Sequence, residues 1–121
     1  MTEPTRVCVI DDDDLICDHI AALLTPAGYE VVCADSAKAG LALIAEHRPD
    51  VVLVDIIMPD KDGVEVIAEI RRLWPDLRIV AMSAGGQVGP TLYLQIAQTV
   101  GAHACLTKPL SLTELTEALA G

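Results

Sequence analysis

The sequence predicts an α/β fold in which helices cover both faces of a doubly wound parallel β-sheet. Five short apolar runs alternate along the chain with five segments that have helical spacing, and this alternation is typical of parallel strands joined by right-handed crossovers. The run at residues 51–54 consists of four consecutive branched apolar residues. Such a run favours a strand that is buried on both faces of a parallel sheet. The chain has no Phe and one Trp, so aliphatic side chains and alanine must form the core.

The five predicted strands are short apolar runs bounded by polar or turn residues. In chain order they cover residues 6–10, 29–34, 51–54, 77–82 and 103–106. The five predicted helices carry apolar residues three or four positions apart, which gives each one an apolar stripe. They cover residues 14–24, 37–46, 64–73, 91–100 and 112–119.

Capping and breaking residues support these helix limits. Asp13 or Asp14 can cap the first helix, Ser36 the second and Ser111 the last, because their side-chain oxygens accept hydrogen bonds from free backbone N–H groups. Proline or glycine follows several of the helices, as at Pro49 after the second and Gly101 after the fourth.

Length and charge limit the classes of function. The 121 residues form one domain, residues 1–121, and we expect no output domain because no linker or second apolar pattern follows. The formal net charge of −10 argues against direct DNA binding through phosphate contacts, and it suits a protein that gathers carboxylates around a divalent cation. The sequence has neither a signal-peptide pattern nor an apolar run long enough for membrane insertion, so we expect a cytoplasmic protein.

The four cysteines are not spaced like zinc ligands. Cys8, Cys33 and Cys105 fall within predicted strands, and Cys17 falls within the first helix. We therefore expect all four to be small, buried, apolar residues in a reducing compartment.

Polar residues follow four of the predicted strands at the point where each one ends. They are Asp11 and Asp12, Asp55, Ser83 and Lys108. Because the carboxyl ends of parallel strands lie at one edge of the sheet, these side chains should converge in one pocket. Carboxylates this close together need a bound cation or protons, and hard oxygen ligands suit Mg²⁺. A lysine and a hydroxyl can bind phosphoryl oxygens, and an aspartate beside them can attack phosphorus to form an aspartyl phosphate.

Four motifs resemble those of the receiver domains of two-component response regulators, in the order and spacing of that family. They are VCVIDDDD at 7–14, VVLVDIIMPDKDG at 51–63, VAMSA at 80–84 and CLTKPL at 105–110. The stretch YLQIAQTVGAHACLTKP resembles single-domain, chemotaxis-regulator-like receivers. The resemblance implies a flavodoxin-like (βα)5 fold with strand order 2-1-3-4-5.

The resemblance also assigns roles to the polar residues. Asp55 would be the phosphoacceptor, with Lys108 and Ser83 binding the phosphoryl group. Mg²⁺ would be held by Asp11, Asp12, Asp55 and the backbone carbonyl of Ile57, with Asp11 acting mainly through the waters of the metal. The Lys108–Pro109 peptide bond would be cis.

The sequence departs from the family pattern at two positions. Cys105 replaces the aromatic residue that usually moves together with the hydroxyl of Ser83 in the switch, and a cysteine is too small to take the place of that ring. Ile57 is apolar where many receivers carry a polar residue near the path of the hydrolytic water. We therefore expect slow autodephosphorylation.

The resemblance implies partners and leaves two alternatives to test. A histidine kinase or histidine phosphotransfer protein would donate the phosphoryl group. An unknown downstream protein would bind the face formed by the fourth helix, the fifth strand and the fifth helix. On this interpretation the chain is not an enzyme beyond its own phosphorylation and dephosphorylation. The alternatives are an aspartyl-phosphate phosphatase, for which Asp11-Asp12-Asp13 would have to supply the DxD motif, and a pseudo-receiver that serves only as a scaffold.

Overall fold

A computed structural model of the chain describes residues 4–56, 62–84, 95 and 98–120. Five strands form one parallel sheet in the order β2-β1-β3-β4-β5, which confirms the predicted strand order. The strands are β1 (Arg6–Ile10), β2 (Glu30–Ala34), β3 (Val51–Asp55), β4 (Arg78–Ala84) and β5 (Ala104–Lys108). The helices are α1 (Asp14–Leu24), α2 (Ala37–His47), α3 (Gly63–Leu73) and the C-terminal helix (Leu112–Ala120).

The core lies in two layers, one on each face of the sheet. Successive strand residues point to opposite faces, so β3 sends Val52 and Val54 to one face and Val51 and Leu53 to the other. The first face packs against α2 and α3, and the second packs against α1 and the C-terminal helix. This arrangement confirms the doubly wound α/β fold, and all five residues of β3 are buried.

The predicted caps are present. The side chain of Asp13 accepts a hydrogen bond from the Leu15 N–H at 3.0 Å, and that of Ser36 accepts one from the Ala39 N–H at 3.1 Å. Ser111 accepts a hydrogen bond from the Glu114 N–H and donates one to the Glu114 carboxylate. The Ser111–Glu114 contacts place a capping motif at the start of the C-terminal helix.

The last two strands extend further than the sequence predicted. The runs at 77–82 and 103–106 were expected to stop before Ser83 and Lys108, yet β4 includes Ser83 and β5 includes Lys108. The cause is the β4–β5 ladder, which pairs Ser83 with Thr107 and Ala84 with Lys108 and so keeps polar residues in extended backbone.

Part of the predicted fourth helix, 91–100, lies outside the described residues. Gln95 and residues 98–100 are helical. Within the part of the chain that the structure describes, no helix combines the length and the apolar character needed to cross a bilayer.

Helix α3 begins directly against β3. A Cβ atom at Gly63 would lie 2.3 Å from both the Asp55 carbonyl oxygen and the Ile56 Cα, which is shorter than any normal contact. The Gly63 N–H also donates a hydrogen bond to the Ile56 carbonyl at 3.0 Å. Glycine at this position therefore allows the helix to start in backbone contact with the end of the strand.

His103 joins β4 to the start of β5. Its backbone N–H donates to the Ile79 carbonyl at 2.7 Å, and its Nδ1 accepts a hydrogen bond from the Ile79 N–H at 3.1 Å. Arg71 of α3 donates to the nearby Gly101 carbonyl at 2.8 Å. These contacts give His103 a structural role at the start of β5.

Candidate functional site

The strand register brings the predicted site residues to one edge of the sheet. Ile10 pairs with Val54, so Asp11 follows β1 beside Asp55 at the end of β3. Asp55 pairs with Met82, which places Ser83 one residue further along β4. Lys108 is the last residue of β5. The carboxyl ends of parallel strands therefore gather these side chains, as the sequence predicted.

Asp11 is held in place by three hydrogen bonds. Its backbone N–H donates to the Ala34 carbonyl of β2 at 3.0 Å. Its Oδ1 accepts a hydrogen bond from the Asp13 N–H at 2.9 Å, and its Oδ2 accepts one from Lys108 Nζ at 2.8 Å. The side chain is fully buried, so these contacts compensate the desolvation of its charge.

Lys108 bridges two carboxylates from different strands. Its Nζ lies 2.8 Å from Asp11 Oδ2 and 3.6 Å from Asp55 Oδ2. Burial tends to lower the pKa of Lys108, but the hydrogen bond to Asp11 and the charges of Asp55 and Asp11 outweigh it and raise that pKa. The lysine is therefore fully protonated at neutral pH and supplies a fixed positive charge to the pocket.

Asp11, Asp12 and Asp55 form a group suited to a cation. Each offers one carboxylate oxygen, and these oxygens lie within 4.8 Å of one another. Asp11 and Asp55 are buried, whereas Asp12 is exposed, so the group opens to solvent on one side. Three hard oxygen donors with an open side fit Mg²⁺, which binds carboxylates while keeping several waters.

The remaining predicted site residues are placed as follows. Ser83 is fully buried at the same sheet edge, and the Lys108–Pro109 peptide bond is cis, as the resemblance implied. Ile57, the predicted carbonyl ligand, lies outside the described residues. Cys105 of β5 is half-buried and packs beside the core between the sheet and α2 and α3, where burial raises its thiol pKa.

The sequence did not reveal two contacts that position the site. The Asp13 N–H and the Ala34 carbonyl both bind Asp11, yet Asp13 was interpreted only as a helix cap and Ala34 only as a strand residue. The run of four aspartates gave no indication of which N–H would turn back toward which carboxylate. Backbone hydrogen bonds of this kind depend on the turn between β1 and α1.

The expectation of four buried cysteines is wrong for Cys33, which is exposed. Its strand, β2, is an outermost strand of the sheet, and Cys33 lines a groove together with residues of α1 and α2. Cys8 and Cys17 are buried as expected, and Cys105 is partly buried.

Known proteins share this fold and sequence pattern. The response regulator receiver domain family model matches residues 7–120. Response regulator MprA of Mycolicibacterium vanbaalenii is 36% identical over 112 residues, which are 93% of this chain and 47% of that protein. The chain thus spans about half the length of this curated relative.

Solved structures agree with this assignment. A response regulator receiver domain protein from Clostridium thermocellum superposes with a TM-score of 0.87 at 30% identity, covering 96% of this chain and 91% of that one. Vibrio cholerae chemotaxis protein CheY4 gives a TM-score of 0.85 at 27% identity, covering 97% of each chain. A receiver domain implies a role in two-component signalling and is not a classical enzyme family. By sequence and by fold, the chain belongs to the response regulator receiver domain family.

Proposed function

We propose that this receiver domain accepts a phosphoryl group on Asp55, with Mg²⁺ held at the neighbouring carboxylates, and then alters the binding of a downstream protein. The observation that carries the proposal is the convergence of Asp11, Asp12, Asp55 and Lys108 at one sheet edge. The donor is a histidine kinase or a histidine phosphotransfer protein, as membership of the family implies.

Each residue of the cluster has a defined part in the transfer. An Asp55 carboxylate oxygen attacks the phosphorus, the new P–O bond replaces the P–N bond of phosphohistidine, and the released imidazole nitrogen takes up a proton. Lys108 is close enough to Asp55 to contact a phosphoryl oxygen, and its raised pKa keeps it charged. The Ser83 hydroxyl would donate a hydrogen bond to another phosphoryl oxygen.

A bound Mg²⁺ would neutralise charge that develops on the phosphoryl oxygens. Asp11, Asp12 and Asp55 would hold it, together with the predicted Ile57 carbonyl. The Asp13 N–H binds one carboxylate oxygen of Asp11, and Lys108 binds the other. These two contacts together fix the orientation of the Asp11 carboxylate. The pocket therefore holds the Asp11 carboxylate in a fixed orientation, which would favour the transfer.

The downstream partner is proposed to bind the face formed by the fourth helix, β5 and the C-terminal helix. Leu112 at the start of the C-terminal helix is an exposed apolar side chain, 39% accessible, on one of these elements. The net charge of −10 makes direct DNA binding by this domain unfavourable. The cytoplasmic location and slow autodephosphorylation stay predictions from the sequence.

Phosphorylation with a small donor tests the proposal. The protein is incubated with acetyl phosphate and Mg²⁺, and intact mass spectrometry records the gain of one phosphoryl group. Asp55→Asn should abolish the gain, and omission of Mg²⁺ should nearly abolish it. Asp76→Asn serves as the matched control, because Asp76 is exposed in the turn before β4, at the opposite edge of the sheet.

The same proteins, tested also for hydrolysis of a phosphate ester, separate the alternatives. An aspartyl-phosphate phosphatase would retain hydrolysis of a phosphate ester in Asp55→Asn, whereas the proposal predicts no such hydrolysis in either form. A pseudo-receiver would not be labelled at Asp55 under any of these conditions. Either result would overturn the proposal.

A further inference from the structure

Cys17 and Cys33 form a thiol pair outside the phosphoacceptor site. Cys17 lies on α1, and Cys33 lies on β2, where it pairs with Val9 of β1. Val9 packs on the face of the sheet that α1 covers, and residues paired across parallel strands point to the same face. Cys33 therefore faces α1, where Cys17 and Cys33 line the same groove and are close enough to hydrogen-bond.

The two sulfurs differ in access and in acidity. Cys17 is 6% exposed, whereas Cys33 is exposed in a groove of about 450 Å³ that also contacts Asp14 and Asp35. The hydrogen bond from Cys17 lowers the pKa of Cys33, although burial and the nearby aspartates act against it. The same hydrogen bond, with burial, raises the pKa of Cys17. An accessible cysteine of lowered pKa beside a second thiol is the arrangement of a redox-responsive cysteine.

The other two cysteines lack this combination. Burial raises the pKa of Cys8 to about 12, and Cys8 is fully buried. Burial also raises the pKa of Cys105, which is half-buried on β5. Among the four cysteines, Cys33 alone is exposed and has a lowered pKa.

We propose that Cys17 and Cys33 are a peroxide-reactive pair that closes a reversible disulfide between α1 and β2. The Cys33 thiolate attacks one oxygen of hydrogen peroxide, the O–O bond breaks, and the released hydroxide takes up a proton as water. Cys17 then gives up its proton, its sulfur bonds to the sulfur of the Cys33 sulfenic acid, the S–O bond breaks, and the hydroxyl group leaves with that proton as a second water. Two thiols and one peroxide give one disulfide and two waters, and a dithiol reductant reverses the change.

The surrounding charges favour a small neutral oxidant. Asp11, Asp14 and Asp18 all lie close enough to disfavour the Cys33 thiolate electrostatically. The same negative field would repel glutathione disulfide, which is anionic at neutral pH, but would not repel hydrogen peroxide. The groove therefore selects a peroxide over a glutathione donor.

The Cys17–Cys33 pair lies next to the carboxylate group of Asp11, Asp12 and Asp55, but the proposed reaction does not involve these carboxylates. Ala34 follows Cys33, and its carbonyl accepts the Asp11 N–H at 3.0 Å. The Cys17 N–H donates to the carbonyl of Asp13, the residue that also binds Asp11. A disulfide would thus link the two elements on which the position of Asp11 depends.

Peptide mapping tests the proposal directly. The reduced chain is treated with hydrogen peroxide, denatured, alkylated and cut before aspartate residues without a reductant. This digestion separates Cys8, Cys17 and Cys33, because Asp14 and Asp18 begin the peptides 14–17 and 18–34, and Asp35 begins the next one. We expect residues 14–17 joined to residues 18–34, and separation of the two peptides after treatment with dithiothreitol.

Variants give an independent check. Cys17→Ser should leave a sulfenic acid on Cys33 that dimedone traps, Cys33→Ser should abolish the fast reaction with peroxide, and Cys105→Ser should behave as wild type. Cys17→Ala, which removes the hydrogen-bond donor, should slow alkylation of Cys33 at neutral pH severalfold relative to Cys17→Ser.

Several outcomes would overturn the proposal. They are full alkylation of Cys17 after peroxide treatment, a link from Cys33 to Cys8 or to a second chain, and a Cys33 that reacts no faster than Cys105. A glutathione mixed disulfide forming in preference to the internal bridge would refute the choice of oxidant.

Discussion

Replacing Lys108 by methionine tests how much the lysine charge stabilises the buried carboxylates of Asp11 and Asp55. The change keeps an unbranched side chain and removes the charge. At an effective dielectric constant of about 20, attraction over 2.8 Å to Asp11 and over 3.6 Å to Asp55 amounts to about 6 and about 5 kcal/mol. These are gross terms, which the desolvation of buried charges largely offsets.

The net loss of stability should be smaller than this sum. Removing one partner of a buried ion pair costs about 3–5 kcal/mol, because the remaining charge stays buried. The Lys108 side chain is 17% exposed, so water can replace part of its contribution. We therefore expect Lys108→Met to lower the free energy of unfolding by about 2–3 kcal/mol in the absence of Mg²⁺.

Urea denaturation with and without Mg²⁺ measures both consequences. Lys38→Met is the control, since Lys38 is exposed on α2. Without a lysine competing for the carboxylates, Mg²⁺ should raise the unfolding midpoint of Lys108→Met more than that of wild type. Equal stability of the Lys108 and Lys38 variants, or a smaller gain from Mg²⁺ in Lys108→Met, would refute the reasoning.

Three further predictions concern packing, capping and pH. Gly40→Ala would place a Cβ atom 2.5 Å from Ile10 Cδ1 in the buried core. Because this overpacking outweighs the gain in helix propensity, the variant should be less stable by about 1–2 kcal/mol in urea denaturation. Unchanged stability would contradict this reasoning. Ser111→Ala should cost about 1 kcal/mol through loss of the cap, while Ser111→Asn should retain most of it; equal unfolding midpoints for the two variants would argue against the capping role. Burial, then Arg71 and Arg78, lower the pKa of His103, so the unfolded chain binds more protons between that lowered value and the ordinary pKa of about 6.5. Stability should therefore fall as pH drops through this window, and His103→Gln should have a shallower pH dependence of the thermal unfolding midpoint than wild type.

The sequence predicted the features that depend on local pattern. The branched run of β3 was recognised as a strand buried on both faces because no polar residue interrupts it. The caps at Asp13, Ser36 and Ser111 were predicted because a single side chain beside a helical stripe determines them. The position of Asp55 at the sheet edge followed from where its strand ends.

Features that depend on neighbouring elements could not be predicted in this way. Pairing between β4 and β5 keeps Ser83 and Lys108 within strands, and neither segment shows this alone. The reach of Lys108 from β5 to Asp11 beside β1 depends on the order of the strands. The exposure of Cys33 results from its place on an edge strand, which strand propensity does not reveal.

The backbone contact between the start of helix α3 and the end of β3 bears on where the domain can change shape around Asp55. Since the Asp55 carbonyl and the Ile56 Cα fill the space beside Gly63, the backbone at the end of β3 and the first turn of α3 are in close contact. Extra atoms added to the Asp55 side chain must therefore be accommodated by its lateral neighbours, the segments after β1 and at the end of β4. If Asp55 accepts a phosphoryl group as proposed, we expect its effect to pass sideways to these two segments, while β3 and α3 stay in contact.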